Sequence, residues 1–101
     1  MGILSVVNAT MADNEVKLVS FGQPAGVLHI KSDAAAVVSV VGTNLGGGNE
    51  VVLSLDDGST TIALVADVGQ LVQLAMPIAQ VGIKKVSGAG VISASVSAPG
   101  I

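Results

Sequence analysis

The chain of 101 residues contains no cysteine, no tryptophan, no tyrosine and no arginine; Phe21 is its one aromatic residue and His29 its one histidine. Without cysteine there are neither disulfides nor thiolate metal sites, and compartment cannot be read from thiol usage. The four cations, Lys17, Lys31, Lys84 and Lys85, are too scattered to line a groove along a phosphate backbone. With no basic cluster and no aromatic stacking platform, nucleic-acid binding is not expected. Charged residues make up only 11% of the chain. No window supplies the eighteen or so continuous apolar residues of a membrane helix, because Gln70, Gln73 and Gln80 interrupt the longest candidate. The N-terminus has no positive region ahead of a signal-peptide core, and Val6 breaks the myristoylation pattern that Gly2 would open. The expectation is a soluble chain with no address of its own.

What is present is small and apolar. Half of the residues are hydrophobic, and Val, Ala, Leu, Gly and Ser fill the places that aromatic side chains normally take. Such a core suits two closely packed sheets. A domain of this size cannot hide so many apolar side chains in one core, so some must lie on the surface, where contiguous patches mark partners. Composition therefore predicts an oligomer, or a protein docked on a larger assembly.

Along the chain the apolar pattern has period two. Residues 1–14 hold a short run, Ile3 to Val7, followed by Asn8-Ala9-Thr10 as a turn; the segment either pairs within the domain or reaches a neighbour as an arm. Glu15 to Phe21 alternates, and Val27 to Lys31 puts Leu28 and Ile30 opposite Val27, His29 and Lys31. Ala36 to Val41 is nearly all apolar, as in a strand buried on both faces. After the glycine-rich Gly42–Asn49 connection, Glu50 to Leu55 and Thr60 to Val65 flank Asp56-Asp57-Gly58-Ser59, which reads as a hairpin with glycine in the left-handed position. Leu71 to Met76 ends at Pro77. Val81 to Val86 leads into Ser87-Gly88-Ala89-Gly90, and the last strand alternates Ile92, Ala94 and Val96 with Ser93, Ser95 and Ser97. Ile62 to Met76 could also form an amphipathic helix, but Gly69 and the valines oppose it. The expected fold is all-β over residues 1–101: a single small antiparallel β-sandwich or jelly-roll-like barrel of about seven to nine short strands.

Chemistry finds little to stand on. His29 has no nucleophile signature beside it. Asp56 and Asp57 lack the alternating acidic spacing of a calcium loop, and turn chemistry accounts for both. Gly46-Gly47-Gly48 lacks the lysine and hydroxyl of a phosphate loop. Lys84-Lys85 reads as the solvated face of an edge strand. The chain is not expected to be an enzyme, and no catalytic, cofactor-binding or metal-binding residue is assigned.

The order of turns, Val40-Val41-Gly42-Thr43, then Asp56-Asp57-Gly58, then Ser87-Gly88-Ala89-Gly90 before an alternating last strand, resembles a pattern of small β-sandwich virion proteins of tailed bacteriophages. It departs where that pattern has a tryptophan after the hairpin (Thr61 or Ile62 here) and an arginine in the penultimate strand (Ile83 or Lys84 here). The resemblance implies a capsid decoration, or cement, protein on the outer surface of the virion. Such a protein would associate with itself, as a homotrimer, and with the major capsid protein. The N-terminal Ile3, Leu4, Val6 and Val7 and the exposed strand faces would be its contacts. The other reading is a tail or fibre module that binds a host receptor or carbohydrate.

Overall fold

The computed structural model describes residues 2–55 and 57–101. Nine strands are formed among them: β1 (Gly2–Thr10), β2 (Val16–Gln23), β3 (Gly26–Ser32), β4 (Ala36–Thr43), β5 (Val51–Val52), β6 (Ile62–Leu64), β7 (Gln70–Leu74), β8 (Ile78–Gly88) and β9 (Val91–Ala98). The protein is all-β, and the stretch Ile62 to Met76 is strand and turn rather than helix. One sheet has the order β1-β9-β3-β7; the other has β2-β8-β4, with β5 and β6 both on the outer edge of β4. All pairings are antiparallel.

The register shows how the chain is laid out. Gly2 faces Ala98, Val16 faces Lys84, Gly26 faces Leu74 and Ala36 faces Leu64, so the partner of residue n is residue 100 − n in each of four strand pairs, becoming 101 − n beyond the bulges of β1 and β2. The chain is one long antiparallel ribbon folded at its midpoint. Rolling that ribbon puts successive strands into alternating sheets, which is the jelly-roll solution to a two-layer β domain. With β5 and β6 taken as one broken strand, both layers are four strands wide.

Bulges correct the side-chain phase where the ribbon bends. In β1 the register shifts between Ser5 and Val7, and the extra residue turns both Val6 and Val7 inward. In β2 a shift between Ser20 and Gln23 accompanies Gly22 at φ 62°, with Phe21 buried beside it. The core between the sheets is formed by Leu28, Ile30, Ile92 and Val96 from one side and Val38, Val40, Val81 and Ile83 from the other. The alternation in β3 and β9 is as the sequence predicts, with Leu28, Ile30, Ile92, Ala94 and Val96 buried. β4 is buried along nearly its whole length, again as expected for a central strand.

Lys84-Lys85 departs from its expected place. β8 lies between β2 and β4, not at an edge, and Lys85 is 5% exposed. Its ammonium donates to the Met11 carbonyl at 2.8 Å and lies 3.5 Å from Asp13 Oδ1, while its own backbone carbonyl accepts from Asn14 N–H and its N–H donates to Glu15. The β1–β2 connection is thereby tied onto β8, closing that side of the sandwich. Replacing Lys85 with Met keeps the aliphatic stem but orphans the Met11 carbonyl. A charged hydrogen bond of this kind contributes about 1.5–3 kcal/mol, so Lys85→Met should lower Tm by roughly 10 °C in a domain of about 100 residues. A Tm within 2 °C of the parent protein's would mean that the clamp does not hold this side.

Candidate functional site

The opposite side of the sandwich, between β7 and β5–β6, is built differently. Val41 faces Val52 and Leu53 N–H donates to Val40 O at 2.8 Å, yet Val38 faces Ile62. The ladder on β4 therefore stops at Leu53 and resumes in phase at Thr61, with Ser54–Thr60 left out. These seven residues are an in-register excursion from a strand that would otherwise run on from β5 into β6.

This revises the reading of Asp56-Asp57-Gly58. Asp56 lies outside the described residues. Around it the turn is formed: Leu55 N–H donates to Ser59 O at 2.9 Å, Gly58 N–H donates to Leu55 O at 2.8 Å, and Gly58 has φ 83°. The turn does not join two mutually paired strands, however. β5 and β6 run in the same direction along one edge of β4, and the turn is the tip of the excursion between them. Ser39, buried in β4, donates its hydroxyl to Thr60 O at 2.8 Å where the excursion rejoins the edge.

Asp57 Oδ1 accepts the Ser59 hydroxyl at 2.6 Å and the Ser59 N–H at 2.9 Å. The hydroxyl first, then the amide, hold its carboxyl below the ordinary aspartate range. A lowered folded pKa stabilises the turn above the unfolded pKa, and that contribution is lost as pH falls through the folded value. In an NMR titration the Ser59 amide resonance should move only below the ordinary aspartate range. Movement at the ordinary value would mean that these bonds do not form.

The excursion and β7 enclose a cleft of about 430 Å³ that opens between the sheets. Val40, Leu74 and Ile78 lie deepest, Leu53, Leu55, Ile62 and Val72 form half-buried walls, and Gln70, Gln73, Asp57, Ser59 and Thr61 supply polar atoms. Val51, Val52, Val65, Val68, Leu71 and Met76, six of the eleven large exposed hydrophobics found among the described residues, belong to the segment 51–76. The whole molecule exposes 5178 Å², close to the ~5,200 Å² of a free-standing protein of its mass. What sets its surface apart is where the apolar groups lie.

The N-terminal run does not supply the contacts expected of it. Val6 and Val7 are core residues, Leu4 packs against the core, and of the four only Ile3 is exposed. The run is β1, hydrogen-bonded along β9 in the same chain, and Asn8-Ala9-Thr10 continue the strand rather than turn. His29 lies exposed on the outer face of β3, opposite Leu71 of β7 and Ser95 of β9. Among the described residues no cluster of three or more His, Asp or Glu side chains could hold a metal ion. The open side is the feature that sequence reasoning missed. Its one signal was the contrast between an apolar segment 51–76 and the absence of any lysine in it.

Compared with known proteins, the chain matches no family model, no curated protein and no solved structure.

Proposed function

We propose that this protein is a structural, self-associating component of a tailed-phage virion, a capsid decoration protein that sits on the major capsid lattice as a homotrimer. The observation that carries the reading is the open side of the jelly roll, whose segment 51–76 holds six of the eleven large exposed hydrophobics among the described residues. Patches of that kind mark surfaces that are covered in the working state. Burial of apolar area across subunit boundaries is the mechanism such a protein uses to hold a shell together, and it asks for no catalytic group. The turn pattern of the chain, which resembles that of small virion proteins, supports a capsid as the setting of this association.

The cleft favours a second reading, a tail or fibre module that takes a receptor or carbohydrate, because it combines apolar walls with amide and hydroxyl groups. The lack of Trp and Tyr, on which sugar rings stack, ranks it below the first. Size-exclusion chromatography with light scattering at micromolar concentration tests the first. The decoration reading expects a homotrimer, and a clean monomer would sink it.

A further inference from the structure

The segment 51–76 carries Asp56, Asp57 and Asp67 and no lysine, while the remaining residues hold four acids (Asp13, Glu15, Asp33 and Glu50) and all four lysines. The net charge of −3 therefore resides in the segment that forms the open side, and the remainder of the chain is neutral. The neighbouring outer face of the β1-β9-β3-β7 sheet has the complementary character. Register places Ile3, Ser97 and Val27 in one row across it, Ser5, Ser95 and His29 in the next, and Asn8, Ser93 and Lys31 in a third. Lys31 is the one residue of fixed charge in those four strands. Ile3 and Val27 are exposed there, and the serines between them keep the face low and flat.

We infer that the open side of one copy docks on the outer face of the β1-β9-β3-β7 sheet of a second copy, in a head-to-tail contact that closes into a small ring. This rests on the self-association proposed above and assigns its surface. Charge decides between the two ways of covering the apolar edge with another copy. An isologous pair would set the aspartates of both segments against one another across a desolvating contact, where like charges repel. A heterologous contact sets Asp57 against Lys31 and an apolar and hydroxyl sheet face, whereas Asp67, whose N–H donates to Ser32 O, already lies at the end of β3 next to Lys31 in its own chain. The two surfaces meet at β7, on adjacent rather than opposite sides of the sandwich, so successive copies turn relative to one another, and a heterologous contact whose rotation closes forms a ring. A standard interface takes about 800 Å² from each partner, roughly one-seventh of the 5178 Å² exposed here. That is within reach of one edge and one sheet face of this domain.

Zero-length carbodiimide coupling, which joins lysine amines to carboxylates in direct contact, tests the inference on an equal mixture of ¹⁴N- and ¹⁵N-labelled protein. Mixed-isotope Lys31–Asp57 peptides are expected. An isologous contact of segment 51–76 with itself gives no such link, since the segment has no amine. In addition, Lys31→Glu, at an exposed position, should bring the light-scattering mass down toward that of the monomer at concentrations where the parent protein is associated. If the parent protein is associated but its mixed-isotope links run through Lys17, Lys84 or Lys85, or are absent, this inference is overturned while self-association stands. A monomeric parent protein overturns both.

Discussion

Replacing Gly82 with Ala should lower Tm by roughly 15 °C or more. Gly82 lies in the middle of β8, the central strand between β2 and β4, opposite Leu18. A Cβ built on it would fall on the backbone carbonyl of Lys17 in β2, an atom that cannot swing aside as a side chain could. Accommodating a methyl group means moving β2 away from β8 and breaking ladder bonds in the layer that carries Val81 and Ile83. Overpacking in a rigid interior costs about 1–3 kcal/mol and occasionally more, and an obstacle made of backbone belongs at the upper end. At about 5 °C per kcal/mol for a domain of this size, the loss is plain in a thermal melt followed by circular dichroism. Gly47 is the control. Nothing stands within 4 Å of its Cβ position and its φ is not positive, so Gly47→Ala should melt with the parent protein. Equal melting of all three proteins would contradict the close approach of β2 and β8.

The second large effect is at Phe21. The bulge in β2 aims its ring into the core, where it is 5% exposed and lies over the backbone of β3; a Cβ on Gly26 would come within 2.7 Å of Phe21 Cζ. It is the one aromatic ring in a core otherwise made of aliphatic side chains and Met11, so its removal leaves a large void. Phe21→Ala should cost about 3–5 kcal/mol, a large share of the roughly 5–15 kcal/mol that holds a domain of this kind together. Phe21→Leu, which leaves a smaller void, should lose about 1–2 kcal/mol. Urea titration measures both, and an alanine variant no weaker than the leucine variant would show that the ring does not fill the core.

These two positions also show what could be read from the sequence. Alternation in β3 and β9, the unbroken apolar run of β4, and the turn residues between strands announce a two-layer β domain, because period-two burial leaves a local trace. Partnership leaves none. Gly2 pairs with Ala98 and Val16 with Lys84, and nothing within a strand of eight or nine residues names a partner that far away. Lys85 looked like an edge residue because pattern distinguishes faces but not edge from centre. Its buried ammonium is satisfied by a carbonyl and a carboxylate from the β1–β2 connection, distant in sequence. Asp57-Gly58 announced a turn and formed one, but the local chemistry is the same for a hairpin and for an excursion. Only the register on β4 tells the two apart. Val6 and Val7 looked like a contact surface because a bulge, which brings adjacent residues to one face, is invisible to a strict two-residue period.

On the self-association proposed above, the seven residues Ser54–Thr60 are an addition to the ribbon that serves contact between copies rather than a part of its frame. Deleting them joins Leu53 to Thr61 and restores continuous pairing along β4 without disturbing any other strand. Light scattering of the deletion variant beside the parent protein, each with its β-sheet circular dichroism recorded, tests this most directly. The expected result is an unchanged sheet spectrum, an associated parent protein and a deletion variant shifted toward the monomer. A folded deletion variant that keeps the mass of the associated parent protein, or one that loses its sheet structure, would contradict it.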